Sequence, residues 1–592
     1  MSSPDLRRLL PVWAVMLCGL SAVVPASDIE CPGREPGRYR LYWGDLHVHT
    51  AMSMDAYVFG TRHDPGDAFA YARGQPLLLS DGRTQSKIDR PLDFMAVTDH
   101  AETFDVMYLC SDPEYRDGTY CEGFRDSSNP RDALSAFRRY LLPVIAGARP
   151  ARPPLCSEPG IDCDEASRRE WRRAQAYANA ADAPCEFTAF IGSEWSATPD
   201  NRHWHRNLIF ASDSVTEDVI DYVRYPDVSH LWGALDEQCR PEQGCDVITI
   251  PHNGNLSESG NFAVEDDTDR RRAQRIRYER LVEVYQSKGS SECLPEHWDD
   301  SGSDCRFELL FPRPLAQKLA EDSLTQEEWR LLRGGYARHL LSRGLEVYQP
   351  AAGPRGGNPL QLGLIGSTDN HSATPGNTAE DNWTGDVWAQ PGQPESRFQR
   401  MDYSPGGLVA VWAEQNTRAS LFDALKQRRV YGTSGTRIGL RFIADRELPE
   451  TICRQPLPTQ SEAGMGGQLN TGSAGDPYFV IQASMDQTPL ARVEIIKGVV
   501  EDGTAREEVH TVADWPAGTD SLCVTWRDRQ FDPQAPAYWY VRILELPTPR
   551  WSRRDCLAAG DCARYPGADQ MIQERAWSSP IWHLPVAGDK PD

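Results

Sequence analysis

Seven apolar runs of strand length, each with histidines, carboxylates or other polar residues at one end, constrain this chain more than any other feature. Leu41-Tyr42-Trp43 leads into Asp45-Leu46-His47-Val48-His49-Thr50, Leu92 to Val97 into Thr98-Asp99-His100, and Phe187 to Ile191 into Gly192-Ser193-Glu194. His203-Trp204-His205-Arg206 precedes Asn207 to Phe210, and Asp246 to Ile250 ends in Pro251-His252-Asn253. Leu281 to Tyr285 leads into Gln286 to Glu292, which includes Lys288, and Leu362 to Ile365 into Ser367-Thr368-Asp369-Asn370-His371. Such runs, separated by helical or irregular segments, predict a mostly parallel sheet closed into a barrel, with the active face at the C-terminal strand ends. On an extended chain His47 and His49 project from one face, so both imidazoles can reach one metal ion.

At 592 residues the chain is too long for one ordinary core. Its 40% apolar and 25% charged content describes a folded globular protein. A net charge of -24 argues against a nucleic-acid backbone or an anionic membrane surface as partner. Arg7 and Arg8, the apolar run Leu9 to Val24 and the small residues around Ala26 predict a secretory signal peptide over 1–26. No second long apolar segment follows, so no membrane anchor is expected, and the location is periplasmic or secreted. All cysteines except Cys18 lie beyond that leader, in a compartment that permits disulfides. Close spacing pairs 110 with 121, 156 with 163, 239 with 245, 293 with 305, and 556 with 562, while Cys31 and Cys185 have no obvious partner.

Helical composition marks Pro65 to Arg73, Ala133 to Ala146, Ala166 to Ala180, Leu324 to Leu341 and Arg418 to Arg429. Segments 101–165 and 256–345 are longer than simple connections and read as insertions that roof the site or decorate the surface. From about Leu440 the pattern becomes β, with runs at 478–483, 490–496, 521–526 and 538–544 that predict a small antiparallel sheet or sandwich. The expected domains are therefore 27–439, an α/β barrel with insertions, and 440–592, a smaller β-rich unit packed on it.

His47, His49, Asp55, His100, Glu194, His203 or His205, His252, Asp369 and His371 together form a candidate metal set. Imidazole plus carboxylate without cysteine suits manganese, zinc or iron, and a set this large can hold two or three divalent ions. The pattern resembles the PHP (polymerase and histidinol phosphatase) superfamily of metal-dependent hydrolases. The resemblance rests on Asp45-Leu46-His47-Val48-His49 with Asp55, on Thr98-Asp99-His100, on Gly192-Ser193-Glu194, on His205 and His252, and on Asp369-Asn370-His371. Phe69 to Gly74, Pro91 to Glu102, Ser287 to Glu292 and Arg429 to Gly435 resemble a mostly secreted bacterial family catalogued as a domain of unknown function. The resemblance implies a distorted seven-stranded (β/α) barrel with a trinuclear site. It also favours His205 over His203 as ligand, since His205 directly precedes Arg206-Asn207.

In a site of this kind a metal-bridging hydroxide attacks an ester while the ions take up negative charge. The implied substrate is a small-molecule phosphate ester, with sulfate esters or β-lactam-type rings as alternatives on the same site. A non-catalytic metal- or carbohydrate-binding protein is the reading of another class. Arg206, Lys288 and Arg437 are candidate oxyanion contacts, and His203 or Asp99 a candidate proton carrier. Asp99 also reads as a residue that orients a ligand histidine. Glu194 reads as a bridging ligand or as an ion-pair partner of Arg206, and His63 and Glu102 as further site candidates or loop-packing residues.

Overall fold

The structure is a computed structural model. It describes residues 29–111, 119–125, 134–145, 150–265, 267–295, 304–311, 313–321, 323–350, 357–387, 397–446, 452–454, 463–470 and 475–585. The expected leader at 1–26 lies outside the described residues, as do parts of both expected insertions and the ends of the 133–146 helix.

The apolar runs form β1 (Arg40–Asp45), β2 (Phe94–Ala96), β3 (Thr188–Phe190), β4 (Gly192–Ala197), β5 (Trp204–Phe210), β6 (Val247–Pro251), β7 (Leu281–Gln286) and β8 (Gly363–Gly366). The pairs β1–β2, β2–β3 and β7–β8 are parallel, as expected. The trio β4–β5–β6 is antiparallel instead. The cause is local: the link from Ala197 to Trp204 is far shorter than the dozen or so residues a parallel crossover needs. His205 therefore stands at the N-terminal end of β5, opposite Ser196, and still reaches the end of the sheet that carries Glu194.

Beyond the paired strands, single hydrogen bonds stitch the strand ends together. Thr98 N donates to Val48 O (2.9 Å), Asp369 N to His47 O (2.8 Å), His49 N to Asn370 O (2.8 Å) and Glu194 N to Asp99 O (3.0 Å).

The chain continues through β9 (Leu408–Ala413), β10 (Val430–Thr433), β11 (Gly439–Asp445), β12 (Tyr478–Ser484), β13 (Leu490–Glu501), β14 (Thr504–Thr519), β15 (Ser521–Arg527), β16 (Ala537–Glu545), β17 (Arg575–Ser578) and β18 (Ile581–His583). Among the described residues, a ten-stranded mixed sheet runs in the order β14-β13-β16-β17-β10-β9-β1-β2-β3, with β18 paired to β16. The fold is mixed α/β with a β-rich C-terminal region. Several C-terminal strands extend the sheet of the N-terminal half through the β10–β17 ladder, and β11, β12 and β15 make a separate antiparallel sheet. β8 packs backbone to backbone on β10: a Cβ on Gly432 would lie 2.6 Å from Gly366 N, so that contact requires glycine.

The helices follow their sequence signals closely where capping is present. α1 (Pro65–Ala72) starts from a capping box between Asp64 and Asp67. α2 (Cys163–Ala181) is capped by Asp162 and buries Trp171. The single helix expected at 324–341 is divided into α3 (Gln326–Arg333) and α4 (Ala337–Glu346). The break falls at Gly334-Gly335, where a Cβ on Gly335 would lie 2.0 Å from Gly254 O. The Arg418 run forms α5 (Arg418–Lys426).

The five close cysteine pairs are disulfides, and Cys31–Cys185 and Cys453–Cys523 are two more. No helix among the described residues is long and apolar enough to cross a membrane.

A buried ion network joins the two halves. Glu292 is held by Arg542 (3.1 Å), Arg338 (3.1 Å) and the Tyr540 hydroxyl (2.7 Å). Burial alone would raise its pKa, but Arg542 and Arg338 outweigh burial and bring it from 4.5 to about 2. A carboxyl depressed in this way stabilises the fold fully above its unfolded pKa and loses that contribution as pH falls through the folded value. The contribution is on the order of 3 kcal/mol. In urea unfolding, Glu292→Gln is expected to be about 3–5 kcal/mol less stable at pH 7, and to lack the extra loss that the wild type shows from pH 5 to pH 3. Parallel pH profiles would remove Glu292 from this role.

Candidate metal centre

Glu194 on β4 is the hub. Its Oε2 lies 3.4 Å from His47 Nε2, 3.2 Å from His49 Nε2 and 3.4 Å from His100 Nδ1. Its Oε1 lies 2.6 Å from His205 Nδ1 and 3.2 Å from His252 Nε2. Asp369 Oδ1 is 3.2 Å from both His47 Nε2 and His49 Nε2. Asp55 Oδ2 is 3.2 Å from His100 Nε2 and 3.1 Å from His371 Nε2. The structure thus brings His47, His49, Asp55, His100, Glu194, His205, His252, Asp369 and His371 into one cluster, none more than 8% exposed.

Two of the strand ends turn into this cluster through unusual backbone. Asn253 (φ 58°) and Asp369 (φ 51°) are both left-handed, a conformation that non-glycine residues adopt mainly under surrounding constraint. Asp45 anchors the Asp369 turn: it accepts from Thr368 N (3.1 Å), Thr368 Oγ1 (2.6 Å) and Gly376 N (3.0 Å). Burial pushes its carboxyl up to about 6, against the hydrogen bonds from Thr368 that lower it.

The donor set fits divalent ions on its own geometry. His47 Nε2, His49 Nε2, Glu194 Oε2 and Asp369 Oδ1 are buried without a hydrogen-bond partner. Two atoms each about 2.1 Å from one ion at a tetrahedral angle stand about 3.4 Å apart, so the 3.2–3.4 Å contacts match the edges of a coordination shell. Three groups, His47–Glu194–His252, His47–His49–Asp369 and His49–His100–His371, each keep their ligand atoms within 4.8 Å of one another. Nitrogen and carboxylate oxygen donors suit zinc, manganese or iron.

Of the other expected site residues, Lys288 and His203 lie at the cluster. Lys288 Nζ pairs with Asp369 Oδ2, an oxygen that also accepts from Gln286 Nε2 (2.7 Å), and its side chain is 12% exposed. Burial would lower the Lys288 pKa, but Asp369 and Tyr403 raise it further, so it is cationic. The His203 ring stacks on His205 at 4.9 Å, with its Nδ1 buried and unpartnered. Burial holds His203 well below its ordinary pKa, and His205 and Lys288 reinforce this. Burial would raise the Glu194 carboxyl, but His100, His205 and His252 outweigh it and hold it well below its usual range.

Arg206 corrects an expectation. Alternate residues of a strand face opposite sides, so the step after His205 turns Arg206 away from the cluster. There it binds Glu279 (2.7 Å) and Asn261 (2.7 Å). Arg437 is also elsewhere, bound to Arg90 O (2.7 Å) and Pro91 O (3.1 Å). Asp99 does not face the ligand atoms. It accepts from Thr50 N (2.6 Å), Thr50 Oγ1 (2.7 Å) and Ser53 Oγ (2.8 Å), and Ser53 in turn meets His49 Nδ1 at 2.9 Å. Glu102 sits behind the cluster, accepting from Ser196 N and Tyr222 N (both 2.9 Å), while His63 bonds to Leu78 O (2.8 Å).

Sequence reasoning missed Glu283, whose carboxylate meets His47 Nδ1 at 3.2 Å. Its signal was a glutamate in the middle of the apolar run Leu281 to Tyr285, on a strand buried along its whole length. Ser53, Ser196 and Thr198, which hold the outer nitrogens of His49, His100 and His205, carried no such signal.

Residues 37–516 and 514–585 match the family described as Protein of unknown function (DUF3604). No curated protein matches this chain. Among solved structures, it is similar to the crystal structure of a two-domain protein containing predicted PHP-like metal-dependent phosphoesterase from Bacteroides vulgatus ATCC 8482. The identity is 12%, the match covers 86% of this chain and 92% of that chain, and the TM-score is 0.28.

The placement of Arg206 separates folding from metal binding. Arg206→Met removes charge-assisted hydrogen bonds worth about 1.5–3 kcal/mol, but Arg275 still pairs with Glu279 at 2.8 Å. The variant is expected to unfold at lower urea while retaining the wild-type metal content by elemental analysis. Loss of metal with unchanged stability would return Arg206 to the site.

Proposed function

This chain belongs to the DUF3604 family, and we propose that it is a metal-dependent hydrolase of phosphate esters that uses two or three divalent ions of zinc, manganese or iron. The observation that carries the reading is the convergence of His47 Nε2, His49 Nε2, Glu194 Oε2 and Asp369 Oδ1, buried and unpaired by hydrogen bonds, at coordination-shell spacing.

His47, His49, Glu194 and Asp369 would hold one ion, Glu194, His205 and His252 a second, and Asp55, His100 and His371 a third. Bound ions in such a set supply Lewis acidity, lowering the pKa of coordinated water and taking up charge on a tetrahedral centre. The chain's own residues do the rest. Lys288 offers an ammonium at the cluster to a substrate oxyanion, and its bond to Asp369 keeps it aimed there. His203 presents an unpartnered ring nitrogen beside His205, where it can hydrogen-bond the leaving-group oxygen. The near-complete burial of the cluster excludes bulk water and strengthens each of these interactions.

In the same proposal the seven strand-and-ligand units act as one distorted barrel over 27–439, with 440–592 attached to it, and the protein works after export beyond residue 26. The seven disulfides support an oxidising location.

The test is elemental analysis followed by assay of an aryl phosphate, an aryl phosphodiester, an aryl sulfate and a β-lactam with added manganese, zinc or iron. Metal-dependent turnover of a phosphate ester is expected. His47→Ala and Asp369→Ala should each lower kcat/KM by more than about 100-fold, beyond the loss typical of an outer-shell partner. Turnover confined to sulfate or lactam would redirect the substrate class. Stoichiometric metal with no turnover of any of the four would sink the hydrolase reading.

A further inference from the structure

The ligand histidines differ in what stands behind them. Glu283, in the middle of β7, is 2% exposed. Its two oxygens lie 3.2 and 3.3 Å from His47 Nδ1, and among the described residues His47 is the ion-pair partner it has. The shortest contacts behind several other rings are to neutral groups, with Glu194 Oε2 at 3.4 Å from His100 Nδ1 and Asp369 Oδ1 at 3.5 Å from His371 Nδ1. His49 Nδ1 meets Ser53 Oγ (2.9 Å), His371 Nδ1 meets the Asp369 carbonyl (2.9 Å) and His205 Nε2 meets Thr198 Oγ1 (2.9 Å). His252 Nδ1 is buried without a partner.

These contacts assign protons. A carboxylate behind Nδ1 only accepts, so when an ion takes the Nε2 lone pair the one hydrogen left on His47 is on Nδ1, facing Glu283. Ser53 gives its hydrogen to Asp99 Oδ1 at 2.8 Å, so towards His49 it accepts, and His49 is likewise the Nδ1–H form. The two rings share a tautomer but not a charge environment. A full negative charge against Nδ1–H raises the basicity of Nε2 and adds its own attraction for a cation, whereas a hydroxyl passes on only part of the Asp99 charge.

We propose that Glu283 is a positioning residue that locks the His47 tautomer and makes the ion that His47, His49, Glu194 and Asp369 would hold the tightest-bound of the centre. The Asp55, His100 and His371 group, whose ring Nδ1 atoms meet Ser196 Oγ and the Asp369 carbonyl, then holds its ion more weakly. The proposal rests on the metal-centre reading above.

The experiment uses the exported full-length chain loaded with zinc, as wild type, Glu283→Ala, Glu283→Gln and Ser53→Ala. Each is equilibrated with graded chelator, and retained zinc per chain is measured. Circular dichroism and melting of the metal-free forms are recorded in parallel, and in the loaded forms the ring nitrogens are followed by 15N–1H correlation.

The wild type is expected to release zinc in at least two phases. Glu283→Ala should move the tight phase to chelator concentrations about 10- to 100-fold lower and leave the weak phase in place. Glu283→Gln keeps an acceptor oxygen, so its shift is smaller, and it carries the test alone if the alanine variant does not fold. Ser53→Ala should move the same tight phase, but by less than Glu283→Ala does, and His47 should show its hydrogen on Nδ1. A Glu283→Ala release curve superimposed on wild type, or a His47 hydrogen on Nε2, overturns this inference while leaving the metal centre standing. A wild-type chain that retains no zinc overturns both.

Discussion

The structure turns on one electrostatic problem: the Glu194 and Asp369 carboxylates are buried where neither water nor an arginine reaches their inner oxygens. Lys288 and Gln286 satisfy the outer oxygen of Asp369, and five imidazoles surround Glu194. Burial on this scale penalises a carboxylate unless positive charge is supplied nearby, and imidazoles supply it only when protonated. On the proposed reading, divalent cations would solve the problem for both residue types at once, because they need the imidazoles neutral and the carboxylates ionised. The same demand explains why the outer nitrogens of most ligand rings are held: a ring free to flip would present N–H instead of a lone pair.

Much of this was legible from residue order. The clustering of these residues could be read because they were rare types at the ends of apolar runs, and a strand end fixes which face a side chain meets. What could not be read was direction. His205 and Arg206 are neighbours, and only the pairing of β5 with β4 decides that His205 meets Glu194 while Arg206 meets Glu279. Glu283 was hidden for a related reason, since a lone glutamate inside Leu281 to Tyr285 reads as an interrupted strand until its partner ring is placed. Ser53 and Thr198 are common residue types whose roles depend wholly on which ring nitrogen arrives beside them.

The fold was legible in part for the same reasons. Capped helices such as α1 and α2 were marked by local chemistry and came out nearly as read. The helix expected at 324–341 failed because Gly335 answers to a distant backbone, Gly254, and not to its own periodicity. β14 escaped notice because it is a sheet edge: charged residues along it, among them Arg506 and Asp514, face solvent and mask the strand pattern. The C-terminal strands were seen, but sequence alone does not show that β17 pairs with β10 and so continues the sheet that contains β1.

That continuity bears on the site through the loop after β7. Lys288 at its start faces Asp369, and Glu292 at its end is buried among Arg338, Arg542 and Tyr540. Between them Ser290 N bonds to Glu308 O (2.9 Å) and Ser291 N to Val284 O (2.7 Å). Arg542 belongs to β16 and is itself bound by Glu494 of β13 (2.7 Å). The C-terminal strands therefore grip one end of a short loop whose other end carries the mostly buried ammonium of Lys288. On the proposed reading Lys288 meets a substrate oxyanion, and a cation in that role needs a fixed position more than a strong field, because a misplacement of about 1 Å can cost two orders of magnitude in rate. The buried Glu292 network is placed to supply that fixity from outside the cluster, and among the described residues the β-rich region contributes no side chain to the cluster itself.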